Sequence, residues 1–389
     1  MPSPLRVLIG SLSAGVLPES SSSSPPRGTL LLDLGPDHPS RAGLLELRLW
    51  TSDDIVSSAE VVVGAMHRGA EKLFEVRDYR QILMLADRHD WQAPFAGELT
   101  VALLCERMLG LEVPPRATWL RTLLAEHTRI LSHLGFLGYV PYRLGVELST
   151  AGVRERLRLC TQELTGNRIH PMANRIGGLA VDADPQWLDT ELAAMDEVVD
   201  VTEKLLGLIG SDEFAELSAG VATVDRETIS AFGISGPTAR ASGVPLDLRI
   251  TQPYLGYAEL DQEALAPATD GSGDARTRFQ VLASEVLASV RLVAGCVDRL
   301  RSQRGPVSVK LGKVVKLPEG DGYLATEAPL GMAGCYLVSR GEKTPWRLKL
   351  RTASFAQVAA LEAVLPGIRV DQLEITLASL VYVVGDVDR

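Results

Sequence analysis

Three early apolar runs read as strands, "TLLLDL" (29–34), "LLELRLW" (44–50) and "IVSSAEVVV" (55–63), the second alternating at period two. Successive side chains of an extended chain point to opposite faces, so these runs predict a small antiparallel sheet over 29–63. The first two are joined by "DLGPDHPSRAG" (33–43). Its two prolines and two glycines make it a turn of defined shape, with His38 at the apex.

From about residue 64 the period lengthens to that of a helix. "FAGELTVALLCERMLGL" (95–111) stops before Pro114-Pro115, and "RATWLRTLLAEHTRILSHLGFLG" (116–138) carries the same spacing over several turns. Further helices fit 152–165, 186–209 and 226–232. The longest fits 274–303, with Phe279, Leu282, Val286, Val290, Val293, Val297 and Leu300 on one stripe. Strand patterns return in "VSVKLGKVVKL" (307–317), "AGCYLVS" (333–339) and "PWRLKLRT" (345–352), the last two joined by a turn at 340–344. Two short helices, "SFAQVAALEAVL" (354–365) and "VDQLEITLASLV" (370–381), close the chain.

The predicted fold class is α+β: a central bundle of long helices with small antiparallel sheets from the N- and C-terminal regions. The expected divisions are a disordered leader over 1–28, a sheet over 29–63, a helical core over 64–304 and an α+β region over 305–389. Residues 29–389 are expected to form one unit. The leader rests on the Ser-rich run "PESSSSSPPRG" (18–28). The first twenty residues make a poor signal peptide, with one Arg and a broken apolar stretch.

Composition narrows the function classes. Apolar residues make up 46% and charged residues 23%, an ordinary globular balance. The net charge of −10 leaves no basic excess to displace counterions, which argues against a nucleic-acid partner. No apolar run approaches 18 residues, so no membrane span is predicted. Cys105, Cys160, Cys296 and Cys335 form no CxxC pair, and each sits in an apolar stretch that predicts a buried free thiol.

Familiar site patterns fail. No GxGxxG follows a strand, no GxSxG is present, and "SRGEKT" sits in a hairpin turn. His127 and His133 are six apart, which is not the i, i+4 spacing that puts two imidazoles on one metal. What remains are polar clusters at element ends: "GPDHPS", "GAMHRGAEK" (64–72), "ADRHDWQ" (86–92), "ILSHL" (130–134), "TGNRIHPMANRIGG" (165–178) and "TARASGVPLDLR" (238–249). Taken singly, His67 and Arg68 fit a solvated helix start, His133 a satisfied core histidine, and Arg168 and Arg175 surface charge.

Together the clusters resemble the D-type (49-kilodalton) subunit of the respiratory NADH:quinone oxidoreductase (complex I), a family related to the large subunit of nickel–iron hydrogenases. The family's GPQHP-S/A-T-H-G is "GPDHPSRAG" here, its G-Y-L-H-R-G-x-E-K is "GAMHRGAEK", and its T-x-R-x-D-Y is "ADRHDW". Its S-R-x-x-S-H-L is "TRILSHL" and its T-G-x-R-x-H…R-I-G-G is "TGNRIHPMANRIGG". "RASGV" (240–244), "ATEAPLGMAGCYLVSRGEKTPWRLKLRTASF" (325–355) and the final "GDVDR" also match, so the resemblance runs from about residue 29 to the end. A nickel–iron centre needs two CxxC pairs, and their absence argues against a hydrogenase metal site.

The resemblance implies a peripheral subunit at the cytoplasmic face of the cell membrane that binds no cofactor itself. Its implied partners are the small subunit holding an iron–sulfur cluster, other peripheral-arm subunits, and a membrane-arm subunit at the quinone channel. The implied substrate is quinone. Quinone-pocket candidates are His38, Ala42, Arg88, Asp90 and Trp91; cluster-interface candidates are His67, Arg68, His133, Arg168, His170 and Arg175. A reduced quinone takes up two protons, so the pocket needs donors where charge develops.

Several positions depart from the family pattern. Ala42 replaces the second loop histidine, Trp91 replaces the tyrosine, Arg143 replaces an aspartate, and Met332 replaces a glutamate. A helical segment before the C-terminal sheet is absent, because Gly305-Pro306 runs straight into strand-like sequence. His38 is a candidate replacement imidazole for Ala42. Two other readings stand beside quinone reduction: a scaffold paralogue without the usual chemistry, and a large subunit of a related ferredoxin- or F420-fed complex.

Overall fold

The fold is described from a computed structural model, over residues 4–10, 28–35, 37–261, 265 and 270–389. Of the Ser-rich run 18–28, only Gly28 is among them.

The N-terminal sheet has four strands: β1 (Leu5–Gly10), β2 (Thr29–Leu32), β3 (Leu44–Ser52) and β4 (Ile55–Val62), in the order β2-β1-β3-β4. This corrects the expected leader, because residues 5–10 form an interior strand. "LRVLIG" alternates as well as the later runs do, and Val7 and Ile9 are fully buried. β1 runs parallel to β2 and antiparallel to β3, with Val7 opposite Leu47 and Ile9 opposite Leu45. The predicted β2–β3 neighbours are therefore separated by a strand, and the 33–43 loop has to cross over it. One face buries Val7, Ile9, Leu45, Leu47, Leu49 and Val56. The other carries the ion pairs Arg6–Glu46 (2.6 Å) and Arg48–Glu60 (3.3 Å).

Helices fill the centre as the spacing predicts. Pro94–Leu109, Pro115–Leu137, Ala151–Thr165 and Pro185–Gly210 each start or stop at the punctuation the sequence supplies. Proline occupies the first turn of three of them, where its missing N–H costs nothing, and Gly110 ends the first in a left-handed conformation at φ +61°. The Ala275–Ser302 helix is capped by Asp274, whose carboxylate accepts the Thr277 N–H at 2.8 Å. It packs along Pro115–Leu137 and Pro185–Gly210, burying six of the seven stripe residues and half-burying Val290. By length and composition alone this helix is apolar enough to cross a membrane, although charged residues interrupt it. Its apolar side chains pack into the protein core instead.

The C-terminal region differs from expectation in one strand. Residues 307–317 are irregular, touching a strand pair only where Ser308 bridges Gly178. Lysines at 310, 313 and 316 break the run with charge, and only Leu317 of it is counted in the core. Gly178 belongs to a two-residue ladder of β5 (Asn174–Arg175) and β6 (Gly178–Leu179). The C-terminal sheet consists of β7 (Gly320–Ala328), β8 (Gly331–Ser339) and β9 (Arg347–Arg351), all antiparallel. The Pro94–Leu109 helix crosses it over a core of Leu104, Cys105, Cys335, Leu337 and Leu348. All four cysteines are buried and unpaired.

Candidate functional site

The last five residues, "GDVDR", tie the two sheets and the first helices together. Both oxygens of the buried Asp388 carboxylate accept backbone N–H groups, from Gly64 at 2.7 Å and Met66 at 2.9 Å. This fixes the start of the "HRGAEK" segment. Arg389 donates to Glu71 (3.2 Å), and the same carboxylate takes Arg347 (2.9 Å) and the Leu350 N–H (3.1 Å). Gly385 lies flat against the Trp91 ring and the His89 carbonyl. A Cβ there would come within 2.1 Å of the ring, so only glycine allows this approach.

The next residue, Asp386, enters a cleft of about 50 Å³ shared with His89 and Asp90. Ala93, Thr100, Leu330, Gly334 and Arg351 complete much of its wall. The 90–93 turn exists because Asp90 caps it: one carboxylate oxygen accepts the N–H groups of Gln92 (3.0 Å) and Ala93 (3.2 Å). Asp386 accepts the Ser354 N–H at 3.2 Å. Burial, and then the neighbouring Asp386 charge, push the Asp90 carboxyl up to about 8. Burial raises Asp386 as well, against its backbone bond from Ser354. At neutral pH the pair therefore holds a proton. His89 is 3% exposed, and burial lowers its imidazole to about 4, so it is neutral.

The other predicted residues fall into separate groups. His38 is buried with both ring nitrogens engaged. Nδ1 accepts the Ser40 N–H, and Nε2–H donates to the Ala378 carbonyl, each at 3.2 Å. Its ring meets Phe136 and Tyr139 edge-on, and burial lowers its pKa to about 4. This histidine locks the loop onto the Leu373–Ser379 helix and does not line the Asp90 cleft, so it offers that carboxylate no replacement imidazole. Ala42 is exposed at the end of the short 3-10 turn Pro39–Arg41.

Trp91 turns into a second pocket with Arg154, Arg158 and Arg168, and its indole N–H has no hydrogen-bond partner among the described residues. Arg168 is ion-paired with Glu155. Arg68, Arg88 and His170 meet around the fully buried Asp87. Arg88 bonds its carboxylate at 2.8 Å, His170 Nδ1 lies 3.4 Å from it, and Arg68 donates to the Arg88 carbonyl at 3.3 Å. Three separated motifs thus converge on one surface. His67 is exposed beside them. Arg175 bonds the carbonyls of Met172 (2.7 Å) and Asn174 (2.8 Å) and holds its own loop. Arg143 is half-buried near Tyr139, whose hydroxyl donates to Glu374 at 3.0 Å. The Met332 backbone N–H donates to Ser235 Oγ at 2.9 Å.

His133 does not join that surface. It is fully buried and donates to Glu285 at 2.9 Å, inside a charge network. Arg240 bonds Glu285 (2.6 Å) and Glu327 (2.7 Å), while Arg249 bonds Asp247 (2.7 Å) and Glu126 (3.1 Å). Glu126 also accepts from Ser289 (2.6 Å) and Tyr257 (2.5 Å). Arg129 carries the network to the cleft wall through the carbonyls of Glu327 (2.7 Å) and Ala328 (3.2 Å). Charged residues inside strongly apolar helices are the available signal in the sequence, visible at Glu126, Arg129 and Glu285. Among the described residues, no group of three or more His, Cys, Asp or Glu side chains is placed to hold a metal.

A family profile described as "Respiratory-chain NADH dehydrogenase, 49 Kd subunit" matches residues 144–315 and 311–389. The second of the D-type NADH-quinone oxidoreductase subunits of Salinispora tropica is 50% identical over 364 residues, covering 92% of this chain and 93% of the relative. The first D-type subunit of Streptomyces coelicolor is 48% identical, covering 92% and 95%. The chain belongs to the 49-kilodalton subunit family of NADH-quinone oxidoreductase. More distant members still align along nearly their whole length: the D-type subunit of Geobacillus thermodenitrificans is 34% identical over 98% of that protein. The expected family is borne out, and so is the mixed α+β architecture. Family motifs that are far apart in this sequence meet around Asp87 and around Asp386.

Proposed function

We propose that this chain is a peripheral-arm subunit of a proton-translocating NADH:quinone oxidoreductase and forms one wall of its quinone-reduction pocket. The opposite wall belongs to the small subunit that holds an iron–sulfur cluster, with further peripheral- and membrane-arm subunits around them. The observation that carries this reading is the cleft shared by Asp90 and Asp386, two neighbouring carboxyl groups that keep a proton at neutral pH. Quinone reduction consumes protons where electrons arrive, and a protonated buried carboxyl supplies one. The arginines and His170 gathered at Asp87 suit the side facing the cluster. There positive charge favours electron uptake.

Ala42, Trp91 and Arg143 favour a second reading, a scaffold that keeps the docking surface without quinone reduction. The discriminating experiment reconstitutes the chain with its small subunit and measures binding of a quinone analogue. Under the first reading binding occurs and falls at least tenfold on Trp91→Ala, but not on Arg301→Ala at a distant surface. Assembly without any analogue binding selects the scaffold.

A further inference from the structure

We propose that the arginine pocket beside Trp91 is a receptor for one carboxylate group, held by Arg154, Arg158 and Arg168. The site stands apart from the quinone-reduction reading; only one arm of its test uses the small subunit.

Arg154 is a buried cation that lacks a counter-ion. It is 4% exposed, and its one hydrogen bond among the described residues runs from Nη2 to the neutral side-chain oxygen of Gln92, at 2.9 Å. Nε is sealed beneath the surface without a partner. That leaves Nη1, neither sealed off nor bonded among the described residues, to face the pocket that the side chain lines. The fold makes a seat for this guanidinium, since a Cβ on Gly135 would press on Nη2 at 3.2 Å. An unpaired charge in so buried a place is strongly unfavourable, and proteins meet it with an opposite charge.

A second cation deepens the deficit. Arg158 lies one turn further along the Ala151–Thr165 helix, on the same face. It is half-buried and makes no hydrogen bond or ion pair among the described residues. Burial, and then the Arg158 charge, lower the Arg154 guanidinium to about 10. The carboxylate whose field reaches Arg154 is Asp37, which is exposed and forms no bond to it. Arg168 closes the rim and is the one arginine of the three already paired, with Glu155.

Size and shape select the anion. The pocket holds about 40 Å³, and one water-sized atom needs roughly 10–15 Å³, so a group of about three heavy atoms fits. A carboxylate is such a group, and its two oxygens match the forked N–H groups of a guanidinium; a phosphate is larger. Trp91, Leu131, Ile169 and Pro171 surround the arginines with apolar surface, which strengthens the attraction and suits the carbon chain behind a carboxylate. Ile169 is 51% exposed, so the pocket opens to the outside of the protein.

The test uses the full chain and isotope-labelled acetate followed by NMR, against chloride at the same ionic strength. Expected is saturable acetate binding that chloride does not reproduce, weakened about tenfold or more in Arg158→Met and in Arg154→Met. Arg158→Lys keeps the charge but not the fork and should fall between. Without acetate, Arg158→Met should unfold at a Tm no lower than wild type, because the charge it removes has no partner in the chain. In the complex assembled with the small subunit, loss of acetate binding and weaker assembly of Arg158→Met would assign the carboxylate to an Asp or Glu side chain of that subunit. Acetate binding that persists there would assign it to a free carboxylate. Acetate binding no stronger than chloride's, binding unchanged in both methionine variants, or a lower Tm for Arg158→Met would overturn the site. If the small subunit does not assemble, the proposed function fails while acetate binding still decides the pocket.

Discussion

Asp90→Asn should make the protein more stable and less active, with the stability gain growing as pH rises. The unfolded chain's Asp ionises near pH 4, whereas the folded carboxyl holds its proton to about 8. Between those values the native state binds the extra proton, so stability falls as pH increases, by up to about 1.4 kcal/mol per pH unit. Across pH 5 to 8 the upper bound is about 4 kcal/mol, and Asp90 is only half-buried, so about 2 kcal/mol is the reasoned figure. Asparagine keeps the side-chain oxygen that caps Gln92 and Ala93, so the turn survives and only the ionisation is removed. Removing that neighbour also lets Asp386 ionise more readily. Urea unfolding of wild type and variant at pH 5, 6, 7 and 8 measures the difference. The gap should widen steadily from pH 5 to pH 8, with the variant higher. A constant offset, or a variant less stable at pH 8, would refute the assignment of the proton to this pair.

Two further outcomes follow from the same geometry. Asp388→Ala removes two charge-assisted bonds to the Gly64 and Met66 amides, so hydrogen exchange at those amides should accelerate about 10–100-fold while the Ala275–Ser302 helix stays protected; unchanged exchange would refute the tie. Arg240→Ala strands Glu285 and Glu327 in the core and should cost about 3–5 kcal/mol by urea unfolding at pH 7. Glu285 is held well below its usual range, so that contribution should persist above pH 4.5 and fade only as pH falls far below it; a cost under about 1 kcal/mol would show that water reaches the network.

The helices are legible in the sequence because each writes its own ends: Pro115, Gly110 and the 279–300 stripe act within a few residues of one another. The sheets are less so. β1 escapes a local reading because a strand's partners lie elsewhere in the chain, and "LRVLIG" stands beside low-complexity sequence that suggests a leader. The 307–317 run fails for the converse reason: its alternation finds a partner only where Ser308 bridges Gly178, and three lysines interrupt it. At the site, the motifs point to Asp90, Arg88 and His170, but no local pattern could show that Arg88 and His170 converge on Asp87. The sequence marks His38 as a candidate but not as a lock, because its partner, Ala378, is 340 positions away. His89 stands inside "ADRHDWQ" and carries no mark of its own. Its lack of partners among the described residues is a property of the folded surroundings.

The separation of His38 from Asp90 bears on how the departures from the family pattern should be weighed. Losing a loop histidine at Ala42 and a tyrosine at Trp91 would leave Asp90 without a proton partner if the pocket depended on those two positions. The structure instead keeps Asp90 beside Asp386, at the start of the Pro94–Leu109 helix and on the Asp388-anchored C-terminus, whose approach the 33–43 loop steadies through Ser40 and Tyr382 without reaching the cleft. A pair of raised carboxyls is costly to bury, and the same fold could relieve it with an asparagine. Such a cost in one cleft is a reason to seek proton chemistry there and to treat the loop as a scaffold. Ala42 then says little about whether this chain reduces quinone, and Asp90 and Asp386 say more.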